Sequence, residues 1–117
     1  MMNLGVETEL TLGALGYSKD DVLAVGCKDF RVPTELFWRI AHLSTYDEEY
    51  GAQAVASDLI IWLRDGAAMI RCEYDGAEWW HLVPQPPDVI RDDILRLAGG
   101  PCWSTIDEKN KREGGEQ

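Results

Sequence analysis

Three apolar runs occupy the middle of the chain, each closed by turn chemistry. Residues 55–63, with Leu59-Ile60-Ile61-Trp62-Leu63 at their heart, lead to Arg64-Asp65-Gly66. Residues 67–74 lead to Asp75-Gly76, and residues 77–83 end at Pro84. Asp-Gly between apolar runs favours a tight hairpin, because a type I′ turn needs positive φ at both central residues. Two such turns in succession predict a three-stranded antiparallel meander over residues 55–83. Counting back from Asp75-Gly76 pairs Tyr74 with Ala77, Glu73 with Glu78, Cys72 with Trp79, Arg71 with Trp80 and Ile70 with His81. Period two then sorts the faces. Ala68, Ile70, Cys72 and Tyr74 share one face, Met69, Arg71 and Glu73 the other. The first set is apolar and is predicted to face the helices. In the third strand Glu78, Trp80 and Leu82 oppose Trp79, His81 and Val83. Large groups on both faces imply a strand covered on both sides or one exposed tryptophan.

Helical spacing recurs twice. Leu36, Phe37, Ile40 and Leu43 follow Pro33-Thr34-Glu35, predicting a helix over 34–43 with Thr34 as its cap. Val89, Ile90, Ile94, Leu95 and Leu97 follow Asp88 and precede Gly99-Gly100-Pro101, predicting a second helix over 88–98. Near the N-terminus, Glu7-Thr8-Glu9-Leu10-Thr11-Leu12 alternates and reads as a short edge strand or extended arm. Residues 22–25 read as a strand, with Phe30-Arg31-Val32 returning beside it. The pattern leaves open whether the first 30 residues join the sheet. The expected fold is α+β: a small antiparallel sheet with a central meander, packed by two helices. Residues 1–106 form one domain in this reading, with Cys102-Trp103 folded back on its core and 107–117 a disordered polar tail.

Charge narrows the function classes. The 117 residues include 21 acidic and 11 basic side chains, for a net charge of −10. That balance argues against nucleic-acid binding, which needs Lys and Arg to displace counterions from phosphate. No apolar run approaches the roughly 18 residues of a membrane span. Cys27, Cys72 and Cys102 are odd in number, widely spaced and without a CxxC pair, which suits free thiols in a reducing compartment. The N-terminus lacks a basic region followed by an apolar one, so a cytoplasmic location is expected.

Candidate chemistry is sparse. His42 and His81, with the three cysteines, lack metal-ligand spacing, so neither a metal nor another cofactor is expected. Cys72 and His81 sit diagonally on adjacent strands, but a Cys–His hydrolase also needs an orienting carboxylate. No phosphate loop and no nucleophile elbow is present. Glu73 opposite Glu78 is a like-charge pair, which calls for a nearby cation from the chain or from a partner.

The acids themselves are grouped. Asp47, Glu48, Glu49 and Asp58 follow one another without a base, flanked by Tyr46 and Tyr50. Glu73, Asp75, Glu78 and Asp88 form a second base-free group, with Trp79 and Trp80 among them. Aromatics beside charges are common in interface hot spots. The expectation is a small non-enzymatic inhibitor or antidote that blocks a basic, nucleic-acid-binding surface of a partner protein, partly as a nucleic-acid mimic. Its expected contact residues are Tyr46, Asp47, Glu48, Glu49, Tyr50, Asp58, Glu73, Asp75, Glu78 and Trp79. Phage anti-defence proteins, anti-CRISPRs among them, and toxin immunity proteins share this profile of size and charge. Two other classes stand beside it. One is a small enzyme or ligand-binding module with a pocket near Trp62, Trp79, His81 and Cys72. The other is a structural subunit of a larger assembly.

Overall fold

The computed structural model describes residues 1–47 and 52–111. The chain divides into two compact units, Met1–Pro86 and Pro87–Gln117. The first unit runs β1 (Met2–Asn3), α1 (Leu4–Ala14), a 3-10 turn (Lys19–Asp21), β2 (Val22–Gly26) and β3 (Arg31–Val32). It continues through α2 (Thr34–His42), β4 (Thr45–Tyr46), β5 (Ile60–Leu63), β6 (Ala68–Tyr74) and β7 (Ala77–Val83). Five strands form one antiparallel sheet in the order β3-β2-β5-β6-β7, and β1 pairs with β4 in a separate ribbon. The fold is α+β.

The N-terminal alternation is helix, not edge strand or extended arm. Asn3 caps α1 by accepting a hydrogen bond from the Val6 N–H through its side chain (3.0 Å). Leu4, Thr8 and Leu12 recur every four residues and are all buried, together with Glu7. Thr8 satisfies its hydroxyl on the Leu4 carbonyl (2.7 Å) and so reads as an apolar position. The period-two reading counted Thr8 as polar and missed that stripe. In α2, Phe37 and Ala41 are buried, whereas Ile40 and Leu43 of the predicted stripe are exposed. Pro33 rather than Thr34 holds the cap position, with no side-chain cap bond.

The meander is present, and all five β6–β7 pairs counted from the turn are found. Asp75 and Gly76 both have positive φ, 54° and 91°, as a type I′ turn requires. The β5–β6 connection differs. Only Gly66 has positive φ, and the Leu63 N–H bonds the Ala67 carbonyl across a three-residue loop. Strand β5 begins at Ile60, so residues 55–59 precede it as irregular chain.

The two faces of β6 are the reverse of the expectation. Met69 and Arg71 are buried, whereas Ala68, Ile70 and Cys72 are only partly covered and Tyr74 is exposed. In β7, Glu78 and Trp80 are buried, while Trp79, His81 and Val83 are exposed. The core contains Val25, Ile61, Leu63, Met69 and Trp80 from the sheet, with Leu4, Leu12, Phe37 and Ala41 from the helices. The apolar-in rule failed because Arg71 is neutralised inside, as described below. The opposite face of the sheet carries Ile60, Trp62, Ile70, Cys72, Tyr74 and Trp79.

Among the described residues of the second unit there is one short helix, α3 (Ile106–Lys109), closed by a capping box between Thr105 and Glu108. It overlaps the start of the stretch 107–117 read from sequence as a disordered tail. Residues 112–117 of that tail lie outside the described residues. Residues 88–98 are irregular and not the predicted helix. A helix owes most of its stability to burial of its apolar stripe. Here Val89, Ile90, Leu95 and Leu97 are all exposed. The Leu95 and Arg96 N–H groups bond the side-chain oxygen of Asn110 instead (2.8 and 3.0 Å). Asp88 therefore caps no helix, and Cys102 and Trp103 are exposed. Among the described residues no helix is long and apolar enough to cross a membrane.

Candidate functional site

The expected contact residues fall into three groups. Glu48, Glu49 and Tyr50 lie outside the described residues. Asp47, Asp58, Glu73, Asp75 and Trp79 are exposed. Tyr46 and Glu78 are buried, at 7% and 6% exposure, which removes both from any contact surface.

Tyr46 and Glu78 belong to an internal polar cluster centred on Arg71. The Arg71 side chain has no exposed surface and bonds Glu7 through Nη1 (3.1 Å) and Glu78 through Nη2 (3.0 Å). Nη2 also donates to the Tyr46 hydroxyl (3.1 Å), which in turn donates to Glu7 (2.6 Å). The guanidinium lies over the Trp80 ring, 4.8 Å from its centroid, and the Trp80 indole N–H donates to Thr8 (2.9 Å). Glu78 accepts two further hydrogen bonds, from the N–H groups of Ala54 (2.6 Å) and Val55 (3.2 Å). Arg71 Nε is the one buried side-chain atom without a partner among the described residues.

The cluster links α1, β4, the chain before β5, β6 and β7. Its ionisation follows from those contacts. Burial alone would push the Glu78 carboxyl up, but the Ala54 N–H, Arg71 and the Val55 N–H outweigh it and hold it below the ordinary value. Burial and the bond to Glu7 push the Tyr46 phenol up to about 12. The cation demanded by the Glu73–Glu78 pair is therefore internal: Arg71 supplies it, and Glu73 turns to the Gly76 N–H (3.2 Å). These acid–base groups are engaged with one another, so their arrangement is architectural.

The exposed group is different in kind. Tyr74 is 76% and Trp79 42% exposed, and they are diagonal neighbours on the outer face of the β6–β7 hairpin. Glu73 and Asp75 flank Tyr74 at the tip, and both are exposed. A type I′ turn closes this tip, with Asp75 and Gly76 at positive φ. Sequence reasoning found Glu73, Asp75 and Trp79 but placed Tyr74 inside. The missed signal was that Glu78 is diagonal to Arg71, so the pair could neutralise within the fold and turn the other face outward.

The pocket expected near Trp62, Trp79, His81 and Cys72 is not assembled as such. An open groove of about 690 Å³ runs along the β2–β3 end of the sheet, lined by Leu23, Cys27, Phe30, Trp62 and Ala67 among others. Trp62 reaches it, but Cys72, Trp79 and His81 do not line it. A smaller cavity of about 370 Å³ lies between α2, β4 and residues 54–59. Among the described residues no three His, Cys, Asp or Glu side chains gather as metal ligands. Cys27, Cys72 and Cys102 are free thiols.

A second surface cluster joins the two helices. His42 Nε2 meets Glu9 (3.0 Å), Lys19 approaches the same carboxylate (3.4 Å), and the Lys19 ammonium sits 4.5 Å from the Trp38 ring centroid. The His42 ring packs against Gly5, where a Cβ would stand 2.5 Å from Nδ1. Both carboxylate partners are solvent-facing, and the cluster fastens α1 to α2. Comparisons with protein-family models, with curated proteins and with solved structures find no match to this chain.

Proposed function

We propose that the protein is a non-enzymatic binding protein that blocks a basic surface on a partner protein. The observation that carries this reading is the grouping of exposed Tyr74 and Trp79 with Glu73 and Asp75 on one hairpin. Tyrosine and tryptophan are the residues that most often dominate binding energy, and they work best where flanking groups exclude water. The acids supply the complement to Lys and Arg, and with a net charge of −10 the whole chain steers toward a positive partner. Surfaces of that sign are commonly built to hold nucleic acid, so the chain acts there as a plug and partial mimic of phosphate. Asp47 and Asp58 extend the acidic side of the reading. Action by binding, without chemistry, agrees with the mutual engagement of Arg71, Glu7, Glu78 and Tyr46. Three free thiols agree with a reducing compartment.

The test is a retention experiment on cells of the native host, with the full chain as bait. Parallel baits carry Glu73→Lys/Asp75→Lys or Tyr74→Ala/Trp79→Ala. The proposal expects a basic, nucleic-acid-binding protein on the unchanged bait that is lost from both variants and at high salt. Equal retention on all three baits, or a retained partner with no basic surface, overturns it.

A further inference from the structure

Beyond that reading, we propose that strand β7 pairs with β7 of a second copy, joining two five-stranded sheets edge to edge. The sheet ends differently on its two sides. At one side β3 is only two residues long, which leaves little edge to extend. At the other side β7 offers seven residues, Ala77–Val83, without a Lys, a Pro or a register shift. Those are common devices that protect an edge; of the others, β7 carries an inward-pointing charge in Glu78, which Arg71 neutralises inside the fold.

Hydrogen-bond alternation defines what this edge presents. A two-residue hairpin closes on a hydrogen-bonded pair, and bonded and non-bonded pairs then alternate along the ladder. Ala77, Trp79, His81 and Val83 therefore bond to β6, while Glu78, Trp80 and Leu82 direct their N–H and C=O groups outward. Among the described residues no backbone hydrogen bond from another segment reaches those three.

The outward set is symmetric about Trp80. In an antiparallel pair of two β7 strands with the twofold axis at Trp80, Glu78 meets the partner's Leu82 and Trp80 meets the partner's Trp80. All three outward residues on each copy are then satisfied together. The pairing uses the strand from end to end, since Ala77 meets the partner's Val83. Just beyond lie the Asp75-Gly76 turn and Pro84, which has no N–H to extend the ladder. No like charges are brought opposite each other, because Glu78 faces a leucine. On the outer face Trp79 meets the partner's His81 at a close, non-bonded position, and both are exposed in the single chain. A second copy is the occupant that fits, because one strand matches its own mirror register without any further partner. A single strand edge is a small interface, so the pairing is concentration-dependent. Added salt strengthens it by screening the repulsion between two chains of −10.

Sedimentation of the full chain from micromolar to millimolar concentration tests this, together with amide exchange. The weight-average mass is expected to climb from 13.2 kDa toward twice that value. The Glu78, Trp80 and Leu82 amides are expected to gain protection as it climbs, while the Trp79 and His81 amides do not. Trp79→Lys/His81→Lys, at two exposed positions, is expected to hold the chain at its single mass. A constant single-chain mass at every concentration overturns the proposal. So does a dimer that survives in the double variant, or one that leaves the Trp80 and Leu82 amides unchanged.

Discussion

Arg71 and Glu78 stand diagonally across the β6–β7 hairpin and form an ion pair of 3.0 Å with both side chains essentially out of water. Removing one member of such a pair strands the other charge in the interior, which costs about 3–5 kcal/mol. Glu78→Ala is therefore expected to lower unfolding free energy by that amount in chemical denaturation. Glu73→Ala, at the exposed position directly opposite Glu78, is expected to change it by less than about 0.5 kcal/mol. Equal effects at the two positions would contradict the buried assignment.

Acid sensitivity follows from the same carboxyl. Glu78 has a folded pKa held below its unfolded value, so its contribution is fully present above the unfolded value of 4.5. It is lost as pH falls through the lower folded value. Stability measured against pH is expected to decline below about pH 4.5, and Glu78→Gln is expected to flatten that decline. An acid limb of the same steepness in the glutamine variant would count against this account.

The alkaline side belongs to Tyr46. Its phenol moves from 10.0 when unfolded to about 12 in the fold, so the neutral form is the one the fold prefers. Stability is expected to hold up to pH 10 and to fall between 10 and 12. Tyr17, whose hydroxyl donates to Asp65 (2.7 Å), is shifted in the same direction. Tyr46→Phe should reduce this limb without abolishing it. It should also cost about 1–3 kcal/mol at neutral pH, because Glu7 loses its donor. Absorbance titration of the phenols, with thermal melts, checks both.

Two glycines of α1 should respond in opposite directions. A Cβ at Gly5 would overlap the His42 ring at 2.5–2.7 Å, whereas one at Gly13 meets nothing within 4 Å. Gly5→Ala must displace His42 from Glu9 and is expected to destabilise by about 1–3 kcal/mol. Gly13→Ala, at a helical position with open space, is expected to stabilise by about 0.4–1 kcal/mol. Thermal melts of the two variants read the difference in sign.

How much of this was legible from sequence depended on how local the determinant is. The β6–β7 register could be counted residue by residue from Asp75-Gly76, because the turn alone fixes it. Helix α2 was legible for the same reason, through Phe37 and the spacing around it. The inward face was not, since it turns on Arg71 finding Glu7, 64 residues away, as well as Glu78. Residues 88–98 carry a helical pattern, but Val89, Ile90, Leu95 and Leu97 are exposed, and burial of such a stripe is what holds a helix together. At the candidate site, Glu73, Asp75 and Trp79 were found from charge and aromatic grouping. Tyr74 was missed because it shares a face with Ile70 and Cys72 and was taken inward with them.

The central claim is that the hairpin tip recognises a basic partner, and the most direct measurement is charge reversal read against salt. The association rate of the retained partner with the unchanged chain and with Glu73→Lys/Asp75→Lys should be compared at low and high ionic strength. The account expects the unchanged chain to associate at least about tenfold faster at low salt, with the advantage shrinking as salt screens the charges. Equal rates for the two proteins, with no dependence on salt, would contradict it.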